Sequence, residues 1–86
     1  MRIDKFLKIS RLIKRRSVAK EVTDKGRVQL NGKLAKSSSM VKVGDTIQIQ
    51  FGNRIVKVKV EKLQESTKKE DASAMYTLLS DERISS

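Results

Sequence analysis

The chain has 86 residues, 20 of them Lys or Arg against 10 Asp or Glu, and it contains no His, Cys, Pro or Trp. That length holds one small domain with a modest core, and the missing side chains exclude histidine or thiolate metal centres, disulfides and most nucleophile–base pairs. No apolar run approaches the ~20 residues that span a bilayer, and the residues after Arg2 do not read as a secretory leader. The expectation is therefore a soluble, cytoplasmic protein whose net charge of +10 asks for a polyanionic partner, RNA or DNA before a membrane surface.

Ile3, Phe6 and Leu7 recur at i, i+3, i+4, which predicts a helix over 3–9 with Lys5 and Lys8 on its opposite face. Asp4 falls in the first turn, where it suits the helix dipole and can pair with Lys8 at i+4. Ser10 to Lys14 reads as a turn. A second helical pattern carries Val18, Ala19 and Val22, with Ser17 as its cap and Gly26 where a left-handed residue would end it. In that register Arg16, Lys20 and Thr23 project to one side of the apolar stripe. Neither helix is long enough to stand alone, so both must pack on something.

Strands follow. Val28 and Leu30 share a face, Asn31-Gly32 predicts a tight turn with positive φ, and Leu34-Ala35 begins the return. Residues 36–39, Lys-Ser-Ser-Ser, read as a flexible loop, and 41–45 end in a Gly-Asp turn. Ile47, Ile49 and Phe51 alternate with Gln48 and Gln50. Gly52-Asn53 then reads as a two-residue turn, after which Val56, Val58 and Val60 alternate with Lys57, Lys59 and Glu61. Two such runs make a half-buried antiparallel hairpin. Ala72, Met75, Leu78 and Leu79 fit a short amphipathic helix starting near Ser66 or Thr67, with 80–86 frayed. The order is α-α-β-β-β-β with a helical tail: a small α+β domain over 1–62, two N-terminal helices packed on a small, mainly antiparallel sheet, and a tail over 63–86.

The charge is uneven. Residues 1–60 carry a net +12 and residues 61–86 a net −2. The densest cluster is Lys14-Arg15-Arg16, flanked by Lys8, Arg11 and Lys20. The acids of 1–60, Asp4, Glu21, Asp24 and Asp45, occupy helix and turn positions, and no pair reads as an acid–base dyad, so no enzyme activity, cofactor or metal is expected. Phe6 and Phe51 lie on apolar faces, which argues against recognition of single strands by stacked aromatics. What remains is a cationic surface that reads shape through phosphates and sugars, for which the planar fork of Arg is suited. A DNA-binding regulator with a helix-turn-helix-like pair is the alternative. Against it, residues 16–25 offer few side chains able to read bases.

Arg2-Ile3-Asp4-Lys5-Phe6-Leu7, Ser10-Arg11, Arg16-Ser17-x-Ala19, Gly26-x-Val28-x-x-Asn31-Gly32 and Val41-x-x-Gly44-Asp45-x-Ile47 together resemble the S-four RNA-binding domain, named after a small-subunit ribosomal protein. The likeness covers residues 1 to about 61. With Thr67-Lys68-Lys69-Glu70 and Met75-Tyr76-Thr77 included, the whole chain is similar to the short stand-alone S-four proteins of bacterial ribosome-associated quality control, which are related to a ribosome-binding heat-shock family. The resemblance implies a non-enzymatic factor that binds the stalled large ribosomal subunit through large-subunit rRNA and peptidyl-tRNA. It also implies support for template-free alanine tailing by the quality-control factor RqcH; a generic rRNA-binding accessory factor is the plainer variant. On this likeness Arg2 and Arg16 match rRNA-contacting arginines. Lys5, Arg11, Lys14, Arg15 and Lys20 fit the same surface by position and charge. Val43 stands where relatives often have Pro, and the longer basic tail of the heat-shock relatives is missing. A monomer with no membrane partner is expected.

Overall fold

A computed structural model describes residues 1–64 and 68–83 of the chain. Helix α1 spans Ile3–Ile9, and Ile3, Phe6 and Leu7 are fully buried, as their spacing predicts. Each contributes about 1.5–3 kcal/mol by leaving water. The Ser10 N–H closes the helix on the Phe6 carbonyl at 2.9 Å. Arg11 then takes φ 62°, a left-handed conformation uncommon outside glycine, which turns the chain so that Ile13 is buried beside α1.

Helix α2 spans Arg16–Val22 and starts one residue before the cap expected at Ser17. Arg15 is its N-cap, and no side chain caps it. Its buried face is narrower than the sequence pattern suggests. Ala19 is fully buried, whereas Val18 is 40% exposed. Thr23 does not share a flank with Arg16 and Lys20; it is buried and its Oγ1 donates to the Ala19 carbonyl at 2.6 Å. That bond satisfies the hydroxyl locally and lets a small polar residue take a core position. The helix runs on through a wider turn, Thr23–Arg27, that ends as Gly26 adopts φ 79°.

Five antiparallel strands form one sheet in the order β2-β1-β3-β4-β5. Strands β1 (Val28–Leu30) and β2 (Lys33–Leu34) are joined by Asn31 and Gly32 at φ 53° and 84°, the two positive φ values that the Asn-Gly pair predicts. Strands β3 (Thr46–Phe51) and β4 (Arg54–Val60) pair Ile47 with Val58 and Ile49 with Val56, and all four side chains face the helices and are buried. The other sheet face carries Gln29, Gln48 and Lys57, opposite one another across three strands. The half-buried hairpin read from the alternation is therefore present.

The tail differs from its sequence reading. A one-turn helix, α3 (Lys69–Ala72), passes into a 3-10 turn at Ser73–Met75, and Ala72 and Met75 are buried as expected. Leu78 and Leu79, however, belong to a fifth strand, β5 (Tyr76–Arg83). The reason is tertiary. Strand β4 would otherwise leave seven residues of unpaired backbone at the sheet edge, and burial of Met75 delivers the chain there. Its carbonyl accepts from Glu61 N–H at 2.8 Å and Lys62 N–H at 3.2 Å. Residues 80–83 are thus strand rather than frayed, while the proposed start at Ser66 or Thr67 and residues 84–86 lie outside the described residues. Between Lys57↔Ser80 and Val58↔Leu78 the register shifts, which leaves Leu79 as an extra, bulged residue.

Candidate nucleic-acid interface

The cationic surface is organised by a carboxylate. Asp4 lies at the margin of the apolar stripe of α1, and its side chain is only 3% exposed. It does not pair with Lys8. Instead Oδ2 lies 3.2 Å from an Arg2 guanidinium nitrogen, and Oδ1 lies 3.5 Å from one of Arg16. Both arginines stay about half exposed, at 44% and 48%. One buried acid therefore holds two cations, from the start of α1 and the start of α2, and leaves a net positive charge. Each guanidinium keeps further N–H donors for an outside acceptor.

A second carboxylate fixes the neighbouring loop. Asp24, in the turn after α2, accepts from the Ser37 backbone N–H at 2.9 Å and from the Ser37 hydroxyl at 3.1 Å. Ser37 is therefore buried, not part of a flexible loop. Its carbonyl in turn accepts from Asp4 N–H at 3.4 Å, and Ser39 accepts from Ile3 N–H at 2.7 Å. Residues 37–39 are thus tied both to the N-terminus of α1 and to the turn after α2. The bonds from Ser37, with the positive charges of Lys20 and Arg2 nearby, hold the Asp24 carboxyl below its usual value. The Gly-Asp turn is braced in the same manner. Asp45 accepts from Lys42 N–H at 2.8 Å and from the Asn31 amide at 3.1 Å.

The structure thus brings together Arg2, Arg16 and Lys20. Lys14 and Arg15 are exposed and run directly into Arg16 at the start of α2. Lys5 follows Asp4 and is half-buried, its N–H donating to Asp4 Oδ1 at 2.8 Å. Arg11 is set apart. It lies beyond the far end of α1, beside Leu12, Phe51 and Tyr76. Asp4, Asp24 and Ser37 were not read from the sequence as parts of the site. The one available signal was Asp4 itself, an acid beside Leu7 on the helical wheel and so at the edge of the buried stripe.

The S4 domain family matches residues 1–47. The trimeric structure of heat shock protein 15 from Vibrio cholerae superposes with a TM-score of 0.84 at 30% identity, over 91% of this chain and 80% of that one. The fold is therefore that of an S4-domain protein. Over 84 residues the chain is 58% identical to the RQC P-site tRNA stabilizing factor of Streptococcus pneumoniae, covering 98% of this chain and 96% of that protein. It is 56% identical to the protein of the same name from Bacillus subtilis, over 98% of each. Within the S4 class, the chain belongs to the family of RQC P-site tRNA stabilizing factors. The Vibrio cholerae relative is trimeric, in contrast to the monomer expected of this chain.

Proposed function

We propose that this protein is a non-enzymatic RNA-binding factor of ribosome-associated quality control. It binds the stalled large ribosomal subunit through rRNA and tRNA contacts, holds peptidyl-tRNA in the P-site, and so supports template-free alanine tailing by RqcH in the cytoplasm. The observation that carries this reading is the shared Asp4. It holds Arg2 and Arg16 side by side while burying only its own charge.

The mechanism follows from that geometry. The arginines lose little freedom on binding because Asp4 already restrains them, so less entropy is lost than by a floppy basic segment. Each planar fork can meet two phosphate oxygens. Lys20 extends the positive surface along α2, and Lys5, Lys14 and Arg15 add charge around it. If roughly five phosphates are neutralised, the logarithm of affinity falls against the logarithm of salt with a slope of about −3.5 to −4.5.

The test is gradient sedimentation of wild-type protein and Arg16→Glu with cell lysate, at low and moderate salt. Wild-type protein in the large-subunit fraction, with the variant left at the top, is the expected result. Wild-type protein at the top under both conditions would overturn the ribosomal reading. Equal co-sedimentation of both would remove Arg16 from the interface.

A further inference from the structure

A different surface lies at the other end of α1. Two seven-residue helices cover the inner face of β1, β3 and β4 but leave that of β5 open. A groove of about 410 Å³ remains. Its floor is Phe51, Tyr76 and Leu78; Leu78 pairs directly with the buried Val58 and so faces inward, yet is 55% exposed. Leu12 forms one wall. At one end the Arg54 Nε donates to Asp81 Oδ1 at 3.1 Å in a two-point contact that neutralises both groups. Arg11 stands at the rim with no side-chain partner among the described residues. Strand β5 is the last in the sheet, so along its eight residues the outer backbone edge is unpaired among the described residues.

We infer that this groove and the edge of β5 together form a docking surface for an extended segment of another protein. That segment adds a strand to β5, places an aliphatic side chain over Tyr76 and Leu78, and sets a carboxylate against Arg11. Three observations select this occupant. A free strand edge is satisfied by another peptide backbone, and pockets beside it supply the side-chain preference. Among the described residues Arg11 is a cation with no acid of its own, since Asp81 is already held by Arg54. The region that carries β5, residues 61–86, is net −2, whereas residues 1–60 are net +12, so phosphates are drawn to the opposite end of α1. The protein is then two-sided, with RNA at the start of α1 and a polypeptide beyond its end.

The experiment uses the full, isotope-labelled chain in solution NMR with a blocked peptide, acetyl-Thr-Leu-Thr-Asp-Thr-Val-amide, whose Leu, Asp and Val share one face of a strand. The expected result is amide shifts confined to 76–83, Arg11 and Leu12. Leu78→Asp should weaken binding at least tenfold while its spectrum stays dispersed and its RNA binding is retained. A peptide with Lys in place of Asp should also bind more weakly. Absence of shifts at these amides overturns the proposal. Larger shifts at the same amides with uridine monophosphate would reassign the groove to a nucleotide, and shifts on dilution of the protein alone would reassign it to a second copy of this chain.

Discussion

Among the described residues, arginine meets carboxylate at two places on this small fold, and the two do different things. In the first, Asp4 is nearly out of reach of water and is shared by Arg2 and Arg16. In the second, Arg54 and Asp81 pair one to one with both side chains substantially exposed, at 48% and 37%. The stoichiometry decides what is left over. The first contact ends positive, with donors facing outward and a carboxylate that packing prevents from turning away. The second ends neutral and is screened by water and salt, so it adds little to stability. On the proposed function, the cations that meet a polyanion are those that an acid restrains without cancelling, rather than the total of cations.

Removing the same charge at the two places separates them most sharply. Arg16→Gln should weaken binding to a large-subunit rRNA fragment about tenfold at low salt and make the salt slope shallower by about 0.7–0.9. Arg54→Gln, an equal change in net charge, should alter affinity less than about twofold by the same fluorescence titration. If the two variants lose affinity equally, total charge governs binding and the distinction collapses.

Asp4→Asn makes the protein more positive, so charge alone predicts tighter RNA binding. The shared clamp predicts the reverse, about a fivefold loss, because Arg2 and Arg16 are no longer held. The same variant should lose about 2 kcal/mol in urea unfolding, the scale of a hydrogen bond to a charged group. For Asp81→Asn, the urea midpoint should stay within the scatter of replicate measurements.

The smallest effect concerns Asp24. Its carboxyl lies below the usual 3.8 because of the bonds from Ser37, so the folded state holds the proton less tightly than the unfolded chain. The stability this contributes is present above the unfolded value and is lost as pH falls through the lower, folded one. Wild type and Asp24→Asn should therefore differ in urea midpoint at about pH 5, and the gap should narrow as the pH is lowered through the acid range. A gap that stays constant over that range would show that Asp24 acts through shape rather than charge.

Much of this architecture was legible in the residues. The α1 stripe, the Asn31-Gly32 turn and the β3–β4 alternation are local signals with periods that only one kind of element satisfies. Arg2 and Arg16 could be placed in the basic surface by resemblance. The parts that escaped depend on distant partners. Asp4 reads as a partner for Lys8 until residues 37–39 cover it and α2 brings Arg16 alongside. Ser37 reads as loop because its acceptor, Asp24, is thirteen residues away. Leu78 and Leu79 have a spacing that suits a helix as well as a strand, and only the open edge of β4 decides between them. Arg11 is the converse case. Its nearness in sequence to Lys14-Arg15-Arg16 suggested a shared surface, but its left-handed backbone sends the chain back around the end of α1.

The bulge at Leu79 gives β5 one residue more than β4 requires. On simple alternation Leu78 and Asp81 would point to opposite faces of the sheet; the surplus residue shifts the phase and brings both to the same side, where Asp81 meets Arg54. The strand therefore holds a spare place in its reading frame. Deleting Leu79 would leave Lys57 opposite Ser80 and Val58 opposite Leu78, with the pairing intact. In β3 or β4, where every residue is matched, a single deletion would instead turn one end of the core out towards solvent.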